Sequence, residues 1–173
     1  MDLSPKVFLS YAHDTDQHKA EVRALAVLLE GAGIAADLDQ WRTAARQDWS
    51  SWAIGAMTAA DYVVVVASPD YKRAGDGLGP GQVNRGVQSE AAVLRDLLHG
   101  DRPTWLPKLL PVLLPGHAVE EIPHFLQPHT ADHYPIPALT PDGVERLVRV
   151  ITAQPTRVRP PRGRIPRLPP LTD

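Results

Sequence analysis

The pattern of apolar and polar positions switches repeatedly between two periods. Lys6-Val7-Phe8-Leu9-Ser10-Tyr11 is a short β-prone run that ends in a polar, helix-capping stretch, Ala12-His13-Asp14-Thr15-Asp16. Val22, Leu25, Ala26, Leu28 and Leu29 then recur at helical spacing, and Gly31 and Gly33 close that helix. Ile34 to Asp39 reads as a second strand. Trp49, Trp52, Ala53, Ala56 and Met57 fall on one face of a helix running from Trp49 to Ala60. Tyr62 to Ala67 is almost continuously β-branched, the composition of a central parallel strand covered on both faces. After it, Val83, Val87, Ala91, Leu94 and Leu98 form one helical stripe. Leu109 to Leu114 is a fourth strand, whose Pro111 suits a strand start or a sheet edge better than a centre. His133 to Ile136 and Gly143 to Thr152 complete the series with a short strand and a helix.

Strands that alternate with helices through five rounds predict an α/β fold. The expected architecture is a flavodoxin-like three-layer sandwich with a five-stranded, mostly parallel sheet in the order 2-1-3-4-5. In such sheets the ligand crevice opens at the carboxyl ends of the strands, where the strand order reverses. Two loops should border it: Tyr11 to Asp16 after the first strand and the glycine-rich Ser68 to Gly81 after the third.

Several familiar chemistries find no support. Gly77-Leu78-Gly79-Pro80-Gly81 lacks the Lys-Ser/Thr of a phosphate loop and follows the third strand rather than the first. His129-Thr130-Ala131-Asp132-His133 offers metal-ligand types, but prolines interrupt the segment and no helix aligns its two histidines. Neither G-x-S-x-G nor H-E-x-x-H occurs. Asp37 and Asp39 end the second strand, yet no acid ends the third, so a magnesium-binding phosphoacceptor cluster is not evident. Glu90 is more informative. It lies three residues after Val87 and four before Leu94, so it flanks the apolar stripe beside the predicted crevice.

Composition narrows the class further. The chain has 173 residues and no cysteine, which excludes disulfide scaffolds, thiolate metal sites and thiol nucleophiles and is compatible with a reducing cytosol. The longest apolar run, Tyr62 to Ala67, is far shorter than the roughly 20 residues of a membrane helix, and no signal-peptide layout is visible. A cytoplasmic location is expected, with no membrane partner. The formal charge of −2 hides an asymmetry: residues 154–173 hold five arginines, one acid and six of the 18 prolines. The other 13 basic and 19 acidic side chains leave the body near −6, a poor match for nucleic-acid phosphates. The expected division is a domain over residues 1–153 and a proline/arginine-rich linker over 154–173, leading to a further, fused sensor domain.

In order, these segments resemble the SEFIR branch of the TIR-like superfamily in its bacterial, especially actinobacterial, form. Val7-Phe8-Leu9-Ser10-Tyr11-Ala12-His13-Asp14 is similar to the first-strand box, followed by His18-Lys19 and the helix to Leu29. Gly33-Ile34 leads into Leu38-Asp39-Gln40-Trp41, the box that separates SEFIR from ordinary TIR domains. Ala60-Asp61-Tyr62 through Ala67-Ser68-Pro69-Asp70-Tyr71 resembles the third strand and its exit. Gly86-Val87-Gln88-Ser89-Glu90 corresponds to the Gly-x-x-x-Glu opening the next helix, and Pro107 to Val112 and Ile122-Pro123 to the fourth strand and beyond. The likeness spans roughly residues 6–153. Two positions depart from it: Ser89 stands where relatives often carry an aromatic residue, and residues 42–48 lack an expected glycine.

The resemblance implies two functions. Some such domains, notably in bacterial antiphage defence, cleave the nicotinamide–ribose bond of NAD once they assemble; others pair with like domains as scaffolds. For the first, NAD is a substrate, no cofactor or metal is needed, and one carboxylate stabilises an oxocarbenium-like ribose. Glu90 is the candidate for that catalytic carboxylate, with Ser10, Tyr11, His13, Asp39 and Trp41 as candidate substrate-binding residues. For the second, the loop 39–48 and the helix 83–99 would contact a neighbouring copy.

Overall fold

The structure, a computed structural model, describes residues 3–42, 44–46, 48–79 and 84–171. Five strands, β1 (Lys6–Ser10), β2 (Ala35–Asp37), β3 (Tyr62–Val66), β4 (Leu109–Leu113) and β5 (Tyr134–Pro135), form one sheet in the order β2-β1-β3-β4-β5. Every neighbouring pair is parallel. The helices are α1 (Asp16–Gly31), α2 (Trp49–Ala59), α3 (Pro69–Gly75), α4 (Arg85–Gly100), α5 (Arg102–Trp105) and α6 (Glu145–Ile151).

The two-residue side-chain period of the strands divides the core into two layers. Val7, Leu9, Val64, Val66, Leu110 and Val112 point to one face, where Val22, Leu25 and Leu29 of α1 and Leu147 and Ile151 of α6 cover them. Phe8, Val63, Val65, Leu109 and Leu113 point to the other, under Met57 of α2, Tyr71 of α3 and Leu94 and Leu98 of α4. The three-layer sandwich and its strand order match the expectation from the hydrophobic pattern.

Three expectations need correction. First, Pro111 sits in the middle of β4, a strand with neighbours on both sides, opposite Val65 of β3. The reason lies in alternation. Val112 O accepts from Ala67 N on the β3 side, so Pro111 and Leu113 turn their backbone groups toward β5. The β5 pairing begins only at Val112, so the donor that proline lacks has no strand opposite it. Second, the glycine-rich stretch after β3 is not all loop, because its first half forms α3. Ser68 is the N-cap, its Oγ accepting from Tyr71 N (3.1 Å), and Pro69 occupies the first turn. Third, the second strand is shorter than the Ile34 to Asp39 expected: it covers Ala35–Asp37, and Asp39–Trp41 turns into a 3₁₀ helix. Val83 and Gly81, placed by the sequence pattern on the α4 stripe and in the glycine-rich loop, lie outside the described residues.

The described part of 154–173 is exposed and has no helix or strand. Among the described residues no helix is long and apolar enough to cross a membrane.

Candidate functional site

The strand order reverses at β1, which lies between β2 and β3, and a cavity of about 640 Å³ opens there at the carboxyl ends of the strands. Its polar end holds Glu90, from the second turn of α4, together with Tyr11, His13 and Asp39. Its apolar end is walled by Trp49 and Trp52 of α2.

Glu90 is held from below. Ser10, the last residue of β1 and fully buried, donates from Oγ to Glu90 Oε2 at 2.6 Å. Ser10 Oγ also lies 2.9 Å from the hydroxyl of Tyr71, which is fully buried as well. A hydroxyl has one hydrogen, so when Glu90 is ionised Ser10 donates to it and Tyr71 donates to Ser10. The result is a relay of hydroxyls that aims a carboxylate from beneath the cavity floor. Burial raises the Glu90 carboxyl to about 7; the Ser10 hydrogen bond opposes that rise and the charge of Asp39 adds to it. Burial likewise pushes the Tyr71 phenol well above its ordinary range, so it remains a donor at neutral pH.

Asp39 has the opposite character. Burial opposes its ionisation, but hydrogen bonds from His13 and Tyr11 outweigh that and hold its carboxyl below the usual range. Tyr11 Oη donates to Oδ1 (2.6 Å), and His13 Nε2 lies 2.9 Å from Oδ2. Gln40 Nε2 donates to Tyr11 Oη and to the Lys19 carbonyl, both at 2.9 Å, tying the 3₁₀ turn to α1. One carboxylate is therefore fixed in its ionised form while its neighbour titrates near neutrality. Environments that drive two neighbouring acids apart in this way are how catalytic sites separate acid and base roles, which makes this cavity the candidate site.

Asp14 fixes the loop that carries Tyr11 and His13. Its Oδ1 accepts from Ser68 Oγ (2.8 Å) and its Oδ2 from Asp70 N (3.0 Å), so the loop after β1 is bolted to the start of α3. The aromatic wall is built by contacts of its own. Trp52 packs on Phe8 at 5.5 Å between ring centroids, Trp49 meets Trp52 edge-on at 5.6 Å, and the Arg42 guanidinium lies 5.2 Å from the Trp52 ring.

Of the residues singled out from sequence, Glu90, Tyr11, His13 and Asp39 line one cavity, and Ser10 reaches it through Glu90. Trp41 does not line it. Its side chain is 43% exposed on the 3₁₀ turn, and Trp49 takes the aromatic position at the cavity mouth instead. His129 and Asp132 border a separate cavity beside β4 and β5. Tyr71 has no sequence signal of its own because the stretch after β3 reads as loop, and Trp49 and Trp52 stand out only as part of one helical face because helical periodicity cannot tell a packed face from a cavity wall.

Residues 7–148 match the family of TIR domains, more than half of the chain. The chain belongs to the TIR domain family. Its fold is also that of two solved SEFIR structures. A prokaryotic SEFIR domain superposes with a TM-score of 0.67 at 24% identity, over 92% of this chain and 100% of that one. The SEFIR domain of interleukin-17 receptor B does so with a TM-score of 0.56 at 20% identity, over 87% and 97%. No curated protein matches the sequence. Membership of the TIR family makes the chain a signalling or protein-interaction module whose natural partners are like domains.

Proposed function

We propose that this TIR domain is a NAD glycohydrolase, the effector module of a bacterial antiphage or innate-immune protein, switched on when copies assemble. One observation carries the reading: the Glu90 carboxylate stands in an aromatic-walled cleft at the sheet's switch point, aimed by Ser10. In the proposed reaction the bond between ribose C1′ and the nicotinamide nitrogen breaks, and its electron pair leaves with nicotinamide as a neutral molecule. Water adds to C1′ and releases one proton, giving ADP-ribose. The barrier is the positive charge developing on the ribose, and an ionised carboxylate beside it lowers that barrier. The cationic nicotinamide ring favours the ionised form of Glu90 on binding. Trp49 and Trp52 offer flat apolar surface to a ring or a base.

The test is mass spectrometry of NAD incubated with the domain at high concentration or in a forced oligomer, with Glu90→Gln alongside. Release of nicotinamide and ADP-ribose that is lost in Glu90→Gln supports the assignment. Equal turnover by both proteins overturns it.

A second reading is a non-catalytic homotypic scaffold, favoured by the large apolar side chains left exposed at Trp41 (43%), Trp49 (46%) and Ile54 (43%). An assembled domain that never consumes NAD would favour it. Loss of turnover in Glu90→Gln with self-association unchanged in ultracentrifugation would count against it.

A further inference from the structure

On the α1 side of the sheet, His18 is 4% exposed, and neither of its ring nitrogens has a hydrogen-bond partner among the described residues. An imidazole buried with both nitrogens unpaired is costly, and such a group calls for an explanation in a ligand, an ion or a water. Its surroundings supply the rest of a coordination set. Glu21 lies one turn further along α1, and i,i+3 spacing puts both side chains on one face. His117, in the segment after β4, places its ring 5.2 Å from that of His18. One donor atom from each of His18, Glu21 and His117 can be chosen so that all three lie within 4.8 Å of one another.

The orientation of His117 is already set. Its Nδ1 lies 2.5 Å from Glu121 Oε2, one helical turn on in sequence. An ionised carboxylate can only accept, so Nδ1 carries the hydrogen and Nε2 keeps its lone pair. A carboxylate behind a histidine in this manner fixes the tautomer and raises the basicity of a metal ligand. Two imidazoles and one carboxylate form an N₂O set suited to zinc or a similar borderline cation. Calcium and magnesium prefer all-oxygen sets.

We propose that His18, Glu21 and His117 bind a divalent transition-metal ion of the zinc class, with Glu121 positioning His117 and water filling the fourth place of a tetrahedral site. The ion clamps the start of α1 to the segment after β4. None of the three ligands lines the Glu90 cavity, although the His18 ring lies 6.4 Å from that of Tyr11, and the proposal is independent of the NAD reading.

The experiment uses the full chain without an affinity tag, stripped with chelator and titrated with zinc chloride by calorimetry, with thermal melts in parallel. The expected result is one ion per chain and a melting temperature that rises with zinc. His117→Ala should weaken binding at least tenfold and abolish the melting shift, and Glu121→Gln should weaken it 10- to 100-fold. Both positions are only partly buried, so these variants are expected to fold, and Glu120→Ala serves as the neighbouring control. Cobalt(II) in place of zinc should give the intense visible absorption of a four-coordinate complex. Absence of stoichiometric binding overturns the proposal. So does binding that is unchanged in His117→Ala, which would place the ion on other histidines.

Discussion

Ser10 Oγ and Glu90 Oε2, 80 residues apart in sequence, lie 2.6 Å apart in the structure. The contact joins the end of the strand next to the switch point to the second turn of α4, the two elements that flank the cavity. Its consequence is directional, because one carboxylate oxygen is held by the floor while Oε1 accepts no hydrogen bond from the described residues.

Removing that carboxylate should abolish NAD cleavage if the proposed chemistry holds. Glu90→Gln keeps the shape and loses the charge, and the expected loss of kcat is about 100-fold or more, the scale of a missing electrostatic stabiliser. The pH profile provides a sharper check. The reaction needs the ionised form, and Glu90 titrates near 7 in the empty site. The rate of the wild type, as kcat/KM, should therefore rise with pH through about 7 and fall about tenfold per unit well below it. A profile flat from pH 5 to 8 would show that Glu90 is not the titrating group.

Tyr71 reaches the site through its hydrogen bond to Ser10. Tyr71→Phe removes a buried hydroxyl and leaves Ser10 without its donor, at an expected cost of about 1 kcal/mol in stability. With Ser10 freer to turn away, kcat should drop about threefold to tenfold while KM changes little. The acidic limb of the pH profile should also move, because the Ser10 hydrogen bond is what holds the Glu90 carboxyl down against burial. A purely structural role would lower stability and leave that limb in place.

The two exposed tryptophans on either side of residue 45 should separate cavity from surface. Trp49 lines the cavity mouth and Trp41 does not. Trp49→Ala should raise KM for NAD by about tenfold, on the scale of about 1–3 kcal/mol per stacked base. Trp41→Ala should leave KM of the assembled enzyme within about twofold and lower the tendency to assemble. Steady-state kinetics on an artificially linked oligomer separates the two effects.

The alternation of periods made the sheet legible from sequence, because residues that share one face of a strand must be apolar together. Val63 to Val66 is apolar on both faces, as a strand between two helix layers must be, and it lies in the middle of the sheet. Glu90 was legible for the related reason that a carboxylate beside an apolar stripe sits at the boundary between core and crevice. Tyr71 was not. Its helix is seven residues long, too short for a periodic signal, and begins at a serine and a proline that read equally well as a turn. Trp41 failed for another reason: its 3₁₀ turn fixes a side-chain direction that spacing alone does not encode. The pairing of His18 with His117 joins residues 99 apart, and no local pattern reports it.

Gly75 ends α3 against the segment that follows β4. A Cβ there would stand 2.6 Å from Pro123 Cγ and 2.7 Å from Pro123 Cβ, and Pro123 is a buried ring that cannot swing aside. Gly75→Ala should therefore destabilise the domain by about 1–3 kcal/mol, despite the better helix propensity of alanine. Urea unfolding measures it directly. A stability equal to the wild type would mean that α3 can shift, and the kinetics of that variant would then show whether Tyr71 moves with it.

The elevated Glu90 carboxyl also predicts how stability depends on pH. In the unfolded chain the group titrates near 4.5, and in the folded protein near 7. Below 4.5 both states are protonated and the group has no effect. Between the two values the folded state holds the proton that the unfolded state has released, so stability falls as pH rises, and above about 7 the loss is complete. Glu90→Gln cannot ionise and escapes this loss. It should match the wild type at pH 4 and exceed it above pH 7 by about 2 kcal/mol, allowing for the partial exposure of the side chain. Asp39 and Asp76, whose carboxyls are held below the usual range, act in the opposite direction but in both proteins alike. The difference between the two denaturation curves at each pH therefore isolates Glu90. A constant difference from pH 4 to 8 would place its carboxyl in an ordinary, water-exposed setting and remove the electrostatic basis for the proposed catalytic role.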